Sequence, residues 1–323
     1  MGRLVRQGSK LIYPTPNQFV TCRQPHFRKT RKLMASTQPV NLDPRHSTTR
    51  RLFSNATAAK MAPRRTGSFA HDDMQSEGGL RVQGLIKQSG EKLPLISIIT
   101  VVYNGASELA RTIESVLRLD YDNIEYIVVD GNSNDGTCEV LRHYETAIDY
   151  WCSEPDSGIY DAMNKGIELA TGDFVYHLNI GDRVLRIPIE ALIKLPASGV
   201  CLACRVQLGS GLIFSSASGM NLRYRNTIHH QGCFYRRSPQ FRYSTTYKVF
   251  SDFDLNQRLK KSGRVIAVSS VIVAEHDSGG ASHQRSHFSE VFQIVNTNYG
   301  PLWVAVCFLY FKLSGLRHRI GLA

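Results

Sequence analysis

Three stretches decide the fold: ISIITVVYNGASELARTIESVL at Ile96–Leu117, IEYIVVDGNSNDGT at Ile124–Thr137, and SEPDSGIYDAMNKGIELATGDFVYHLNIGD at Ser153–Asp182. Ile96–Val102 is apolar and β-branched without polar alternation, the pattern of a strand buried on both faces. Leu109, Ile113, Val116 and Leu117 then form a helical stripe over Ser107–Leu117. Ile124–Val129 predicts a second strand, Asn132–Asp135 supply turn and cap residues, and a helix runs to His143. Ile148–Cys152 predicts a third strand, Tyr160–Ala170 a helix ending at Thr171-Gly172, and Phe174–Leu178 a fourth strand. Strands alternating with helices imply parallel pairing and an α/β fold. Such sheets bind ligands at the carboxyl edge of their strands. Tyr103, Asp130 and Asp182 fall there, so a nucleotide-handling enzyme is expected rather than a passive module.

Outside this core the charge is lopsided. The chain has 323 residues and a formal charge of +12. Residues 1–90 hold 16 Lys+Arg and 4 Asp+Glu, while residues 91–323 hold 23 of each. The folded part is neutral overall, and no specific nucleic-acid partner is expected. Residues 1–92 read as a disordered basic tail, with too little periodic apolar surface to offset the entropy of ordering. An organelle transit peptide fits the same composition, as does a shorter chain starting at Met34, Met61 or Met74. Residues 1–30 lack the apolar core of a secretory signal, and seven scattered cysteines suit a reducing compartment. A cytoplasmic location follows as the expectation. Cys201 and Cys204 form a lone C-x-x-C on a predicted strand, and read as buried thiols.

Residues 93–300 are expected to form one domain. Its second half predicts strands at 199–206, 211–215 and 264–273 and a helix at 252–262, on the acceptor side. Beyond it, Leu302–Phe311 (LWVAVCFLYF) is too short to span a bilayer. Residues 301–323 read either as a helix docked on the core or as an amphipathic interfacial helix. The second reading sets Lys312, Arg317, His318 and Arg319 on anionic headgroups, peripheral on the inner face of a membrane.

The turns carry the chemistry. Tyr103 can stack on a base, although Tyr103-Asn104-Gly105 is also good turn chemistry. Asp130 can accept from a base N–H or a ribose hydroxyl, while Asn134 or Asp135 suits a helix cap. Neither G-x-G-x-x-G nor G-x-x-x-x-G-K-[ST] occurs, so a Gly-rich loop is not the main phosphate cradle. Asn179-Ile180-Gly181-Asp182 offers one carboxylate for Mg²⁺, which is commonly held by one or two carboxylates plus substrate phosphates. Asp252 opens the predicted helix at 252–262, as a general base for an acceptor hydroxyl or as a cap. His276, His283 and His287 lack a fourth zinc ligand at suitable spacing.

The set TVVYNGA, VVDGNSNDGT, EPDSGIYDAMNKG, LNIGD, HHQGCFYRR and SDFDL resembles family 2 glycosyltransferases, in particular the bacterial exopolysaccharide or colanic-acid-type branch. The resemblance spans about residues 95–282. It implies a GT-A fold and an inverting enzyme that moves a sugar from a nucleotide-diphosphate sugar donor to a glycan or lipid-linked acceptor. By resemblance Tyr103 and Asp130 contact the base, and Asp156, Asp161, Asn164 and Lys165 lie near ribose and diphosphate. Asp182 matches the metal-binding acid, with Mg²⁺ or Mn²⁺ bound weakly and with the nucleotide; Asp252 matches the base, for which an ordinary, partly solvated carboxylate suffices. Lys165 or Arg236 is the alternative counter-charge for the diphosphate. The family's frequent D-D pair is Asp130-Gly131 here, and its D-x-D element is reduced to one acid. The rival readings are a nucleotidyltransferase and a catalytically inactive nucleotide-sugar-binding protein.

Overall fold

The computed structural model describes residues 76–90, 93–277 and 288–319. Its centre is a ten-stranded mixed sheet. Strand β2 (Ile96–Val102) lies parallel to β3 (Ile124–Asp130) on one side and to β5 (Phe174–His177) on the other. β4 (Tyr150–Ser153) continues the parallel array beyond β3. Helices α1 (Ala106–Leu117), α2 (Thr137–His143) and α3 (Ile159–Leu169) make the connections. The chain lays down β2, β3 and β4 in one direction, then returns to place β5 across β2. That reversal opens a crevice at the carboxyl ends of the strands.

The apolar run of β2 is explained by cover on both faces. Ile96, Ile98 and Val102 share one core cluster with Leu109, Ile113 and Val116 of α1. Ile99 and Val101 share the other with Met163 and Ile167 of α3. Helix α1 has no side-chain cap of its own. Asp135, across the crevice, accepts from Ala106 N at 3.0 Å and from Thr137 N at 3.1 Å. One carboxylate thus serves the starts of α1 and α2, and the Thr137 hydroxyl bond holds its carboxyl below the usual range.

The second half adds β6 (Arg183–Val184), α4 (Ile189–Ile193), β7 (Gly199–Leu208), β8 (Ile213–Phe214), β9 (Cys233–Arg236), α5 (Ser251–Lys261) and β10 (Val265–His276). β9 enters antiparallel between β5 and β7, and β10 runs parallel beside β7. Sequence patterning does not reveal β9, because Cys233–Arg236 is short and without alternation. Its position delivers His229 and His230 to the end of β5. Cys201 and Cys204 are buried in the two opposite core clusters, so this C-x-x-C cannot close on one ion.

The tail boundary at residue 92 is corrected. β1 (Ser76–Gly78) pairs antiparallel with β4. Lys87 Nζ lies 2.7 Å from Asp149 Oδ2 with both side chains buried, and donates to Ile124 O. Arg81 donates to Leu169 O at 2.8 Å and pairs with Glu125. This segment is held by a three-residue strand and two cations rather than an apolar stripe, so composition does not expose it. Residues 1–75 lie outside the described residues. After β10, helices α6 (Phe288–Tyr299) and α7 (Pro301–Arg319) form a hairpin. α6 packs Val291, Ile294 and Val295 into the core that holds Phe253 and Leu255 of α5. Among the described residues no helix is long and apolar enough to cross a membrane.

Lys87→Met leaves Asp149 buried without its cation. Breaking a buried pair on one side costs about 3–5 kcal/mol, so urea unfolding at pH 7 should shift down by that amount. Burial already raises the Asp149 pKa. Its protonated form is therefore favoured in the folded state, and the deficit should shrink as pH falls toward the acid range. Unchanged unfolding of the variant would place residues 76–90 outside the core.

Candidate active site

The loops after β2 and β3 are laced together. Asn104, at φ 50°, donates from its backbone N to Ser133 Oγ at 2.7 Å and accepts from Asn134 N at 3.0 Å. Tyr103 stands 66% exposed at the rim. A Cβ added to Gly131 would lie 3.4 Å from the Tyr103 ring and collide with the Asp156 carboxylate, so Tyr103, Gly131 and Asp156 form one wall. Burial raises the Asp156 pKa, opposed by a bond from Gly158 N. Asp130 lies beneath, fully buried, and accepts from Ser133 N at 3.0 Å and Ser153 Oγ at 2.6 Å. Its carboxylate is engaged with the loop that carries Gly131–Asn134.

The three residues singled out on α3 separate in role. Asp161 accepts from Ser157 N at 3.0 Å. Lys165 Nζ donates to Pro155 O at 2.6 Å and lies 3.2 Å from Glu154 and 3.7 Å from Asp161. It fastens the 154–161 turn, leaving Asp156 facing Gly131. Asn164 is buried, and both ends of its amide pair with the Tyr243 backbone at 2.9 Å. Asn164 therefore anchors the segment before α5. Arg236 donates to Gly199 O and Leu195 O and covers the Phe174 ring, which makes it a packing residue.

The acidic end of the crevice is denser than the sequence suggests. A side chain at Gly105 would strike Ile180, so glycine there lets the Asn179–Asp182 turn close against α1. Asp182 is buried and accepts from Asp277 N at 2.9 Å; His276 Nδ1 lies 3.0 and 3.1 Å from its two oxygens. The His229 ring meets His276 edge-on with centroids 4.8 Å apart. His230 Nε2 is 2.8 Å from Asn179 Nδ2, whose amide oxygen is buried without a hydrogen-bond partner. Burial lowers the His230 pKa, and the carboxylates of Asp252 and Asp182 oppose that shift. One imidazole thus feels both acids. His283 and His287 lie outside the described residues.

Asp252 sits in the first turn of α5 and accepts from Asn226 Nδ2 at 3.2 Å. It is buried rather than partly solvated, and burial raises its pKa, offset mainly by His230. The expectation of an ordinary pKa is corrected accordingly. Asp254 belongs to a different network, bonded to Arg258 Nε at 2.7 Å and Asn298 Nδ2 at 3.0 Å. Sequence reading missed Glu290. Its carboxylate accepts from Lys248 N, Val249 N and Phe250 N at 2.9, 3.0 and 3.2 Å, fixing the chain just before Asp252. The available signal was an acid four residues before Ile294, on the apolar stripe of α6. The histidines before β9 open the motif HHQGCFYRR, but the sequence alone gives them no role, because their partners are distant in sequence.

The family model for Glycosyl transferase family 2 matches residues 97–247. That stretch, a little under half of the chain, is similar to family 2 glycosyltransferases. An uncharacterized glycosyltransferase of Mycobacterium tuberculosis is 45% identical over 105 residues, which cover 31% of this chain and 40% of that protein. The match thus spans two-fifths of that relative. A PGL/p-HBAD biosynthesis glycosyltransferase from the same organism is 28% identical over 211 residues, covering 59% of this chain and 80% of its own length. Among solved structures, S. aureus TarS 1–349 in complex with UDP-GlcNAc aligns with a TM-score of 0.50 at 17% identity, over 63% of this chain and 66% of that one. Mannosyltransferase PcManGT from Pyrobaculum calidifontis, in complex with GDP-Man and Mn²⁺, aligns with a TM-score of 0.50 at 17% identity, over 67% and 70%. These likenesses establish a GT-A-like fold.

Glu290→Ala removes the acceptor for three backbone N–H groups. Leaving buried donors unsatisfied costs about 1–3 kcal/mol, to be read as a lower urea midpoint; Glu290→Gln, which keeps an oxygen, should lose less. Equal stability of Glu290→Ala and the parent would remove Glu290 from the support of α5.

Proposed function

We propose that this chain is an inverting glycosyltransferase that moves a sugar from a nucleoside-diphosphate sugar to a hydroxyl of a glycan or lipid-linked acceptor. The observation that carries the reading is the placement of two buried acids, Asp182 just after β5 at the crevice where the strand order reverses, and Asp252 in the first turn of α5. Tyr103 offers an exposed ring for the base at the rim, and Asp156 lies beside it for the ribose. TarS with UDP-GlcNAc and PcManGT with GDP-Man are neighbours in fold and take nucleotide sugars, which supports this donor class.

The donor set fits a divalent cation. Asp182 supplies a carboxylate, His276 an imidazole nitrogen beside it, and Asn179 an unpartnered amide oxygen. Among the described residues no three His, Cys, Asp or Glu side chains converge as a ready cage. Mg²⁺ or Mn²⁺ would therefore draw further ligands from substrate phosphates. When bound, such an ion offsets charge on the departing diphosphate. Asp252 accepts the proton of the acceptor hydroxyl while that oxygen bonds to the anomeric carbon and the carbon–diphosphate bond breaks. Asn226 orients the Asp252 carboxylate.

Metal and nucleotide should be linked. Calorimetry should show weak Mn²⁺ binding alone, tighter binding with a nucleoside diphosphate, and an equal reciprocal gain for the nucleotide. Tight metal binding without nucleotide, or turnover indifferent to chelator, contradicts this.

Asp252→Asn should preserve donor binding and lower turnover by about 10²–10⁴. Because the folded pKa of Asp252 is raised, its ionisation weakens the fold as pH rises from the unfolded carboxylate pKa through the folded one. The variant should therefore melt higher than the parent at neutral pH and match it at acid pH. Near-normal turnover would remove the assignment of Asp252 as base.

A further inference from the structure

The outer face of α7 is apolar where a surface helix is ordinarily polar. Trp303, Val304, Cys307 and Phe311 turn toward the core. Leu302, Val306, Leu309 and Leu313, spaced four, three and four residues apart, form the opposite stripe. Leu302 is 74%, Leu309 55% and Leu313 48% exposed. Contiguous exposed apolar residues of this kind mark a protein or membrane contact.

Charge identifies the partner. The 33 residues after Glu290 contain no Asp or Glu, and Lys312, Arg317 and Arg319 follow the apolar run in sequence. Lys312 is exposed beside the stripe. An isologous contact through this segment would set Lys312 of one copy against a second segment that is equally without acids. An anionic lipid surface supplies both the apolar phase and the counter-charge. The face also adjoins the base. Arg225 donates to Tyr310 Oη at 2.6 Å, and its neighbour Asn226 holds Asp252.

We propose that the outer face of α7 docks on an anionic bilayer, lying in the headgroup region without crossing it. This orientation brings the Asn226–Asp252 side of the crevice toward the membrane; only the consequence that the acceptor is lipid-linked rests on the glycosyltransferase reading.

The test is flotation of the full chain with phosphatidylcholine vesicles, with and without phosphatidylglycerol at about one-third of the lipid. The parent should float with the anionic vesicles alone. Leu302→Glu/Leu309→Glu, at exposed positions and carrying an unchanged basic leader, should lose about tenfold or more in partitioning while keeping its thermal midpoint. Lys312→Glu should weaken binding in the same direction. Flotation unaffected by the Leu pair would overturn the proposal and assign binding to residues 1–75. Equal flotation with neutral vesicles would overturn the charge argument. A dimer in light scattering that the Leu pair dissolves would assign the face to a second copy. UDP and GDP binding, measured by calorimetry on the same proteins, keeps the two readings apart. Vesicle binding without nucleotide binding sinks the transferase reading and leaves the surface standing; the converse does the opposite.

Discussion

Parallel strands whose carboxyl ends share one edge impose the constraint on which the rest depends. β4, β3, β2 and β5 all end on the same side, so whatever follows each strand is forced into one crevice. The backbone there leaves regular pairing and needs polar partners. The chain answers with short polar turns that satisfy one another: Asn104 with Ser133 and Asn134, Asp135 with Ala106, Asp130 with Ser133 and Ser153. Several acids and amides at this edge are therefore structural, and only the groups left facing the space are free for chemistry.

This sorting explains what the sequence revealed and what it did not. β2, β3, α1 and α3 were legible because two-sided burial writes an unbroken apolar run and one-sided burial a helical stripe. Asp182 and Asp252 stand out as candidates in the sequence because each follows or opens such an element within a motif. Asn164, Lys165 and Asp130 sit in comparable motifs, yet their polar atoms are engaged by Tyr243, Pro155 and Ser153. Local sequence cannot distinguish a side chain aimed at a ligand from one aimed at backbone 79 residues away.

The contributors that stayed hidden act across long separations. Glu290 reaches back 40 to 42 residues to hold the start of α5, and His276 reaches back 94 to Asp182. Lys87 lies 62 residues before Asp149, in a segment whose composition reads as tail. Each is a single polar residue without periodicity. What gives it meaning is the strand order, with β9 entering between β5 and β7 to carry His230 in beside Asn179. Burial then does the tuning: it lowers the pKa of His230 and raises that of Asp252, and the charge of each group opposes the shift of the other.

The most direct test of this account is the stereochemistry of transfer. A sugar nucleotide that raises the melting temperature of the protein is first selected. Its slow enzyme-dependent breakdown, with water standing in for the acceptor, is then followed by proton NMR at the anomeric position. A single displacement assisted by Asp252 predicts that the first-formed sugar has the anomeric configuration opposite to that of the donor. A first-formed product that retains the donor's configuration would contradict single displacement and, with it, the role assigned to Asp252.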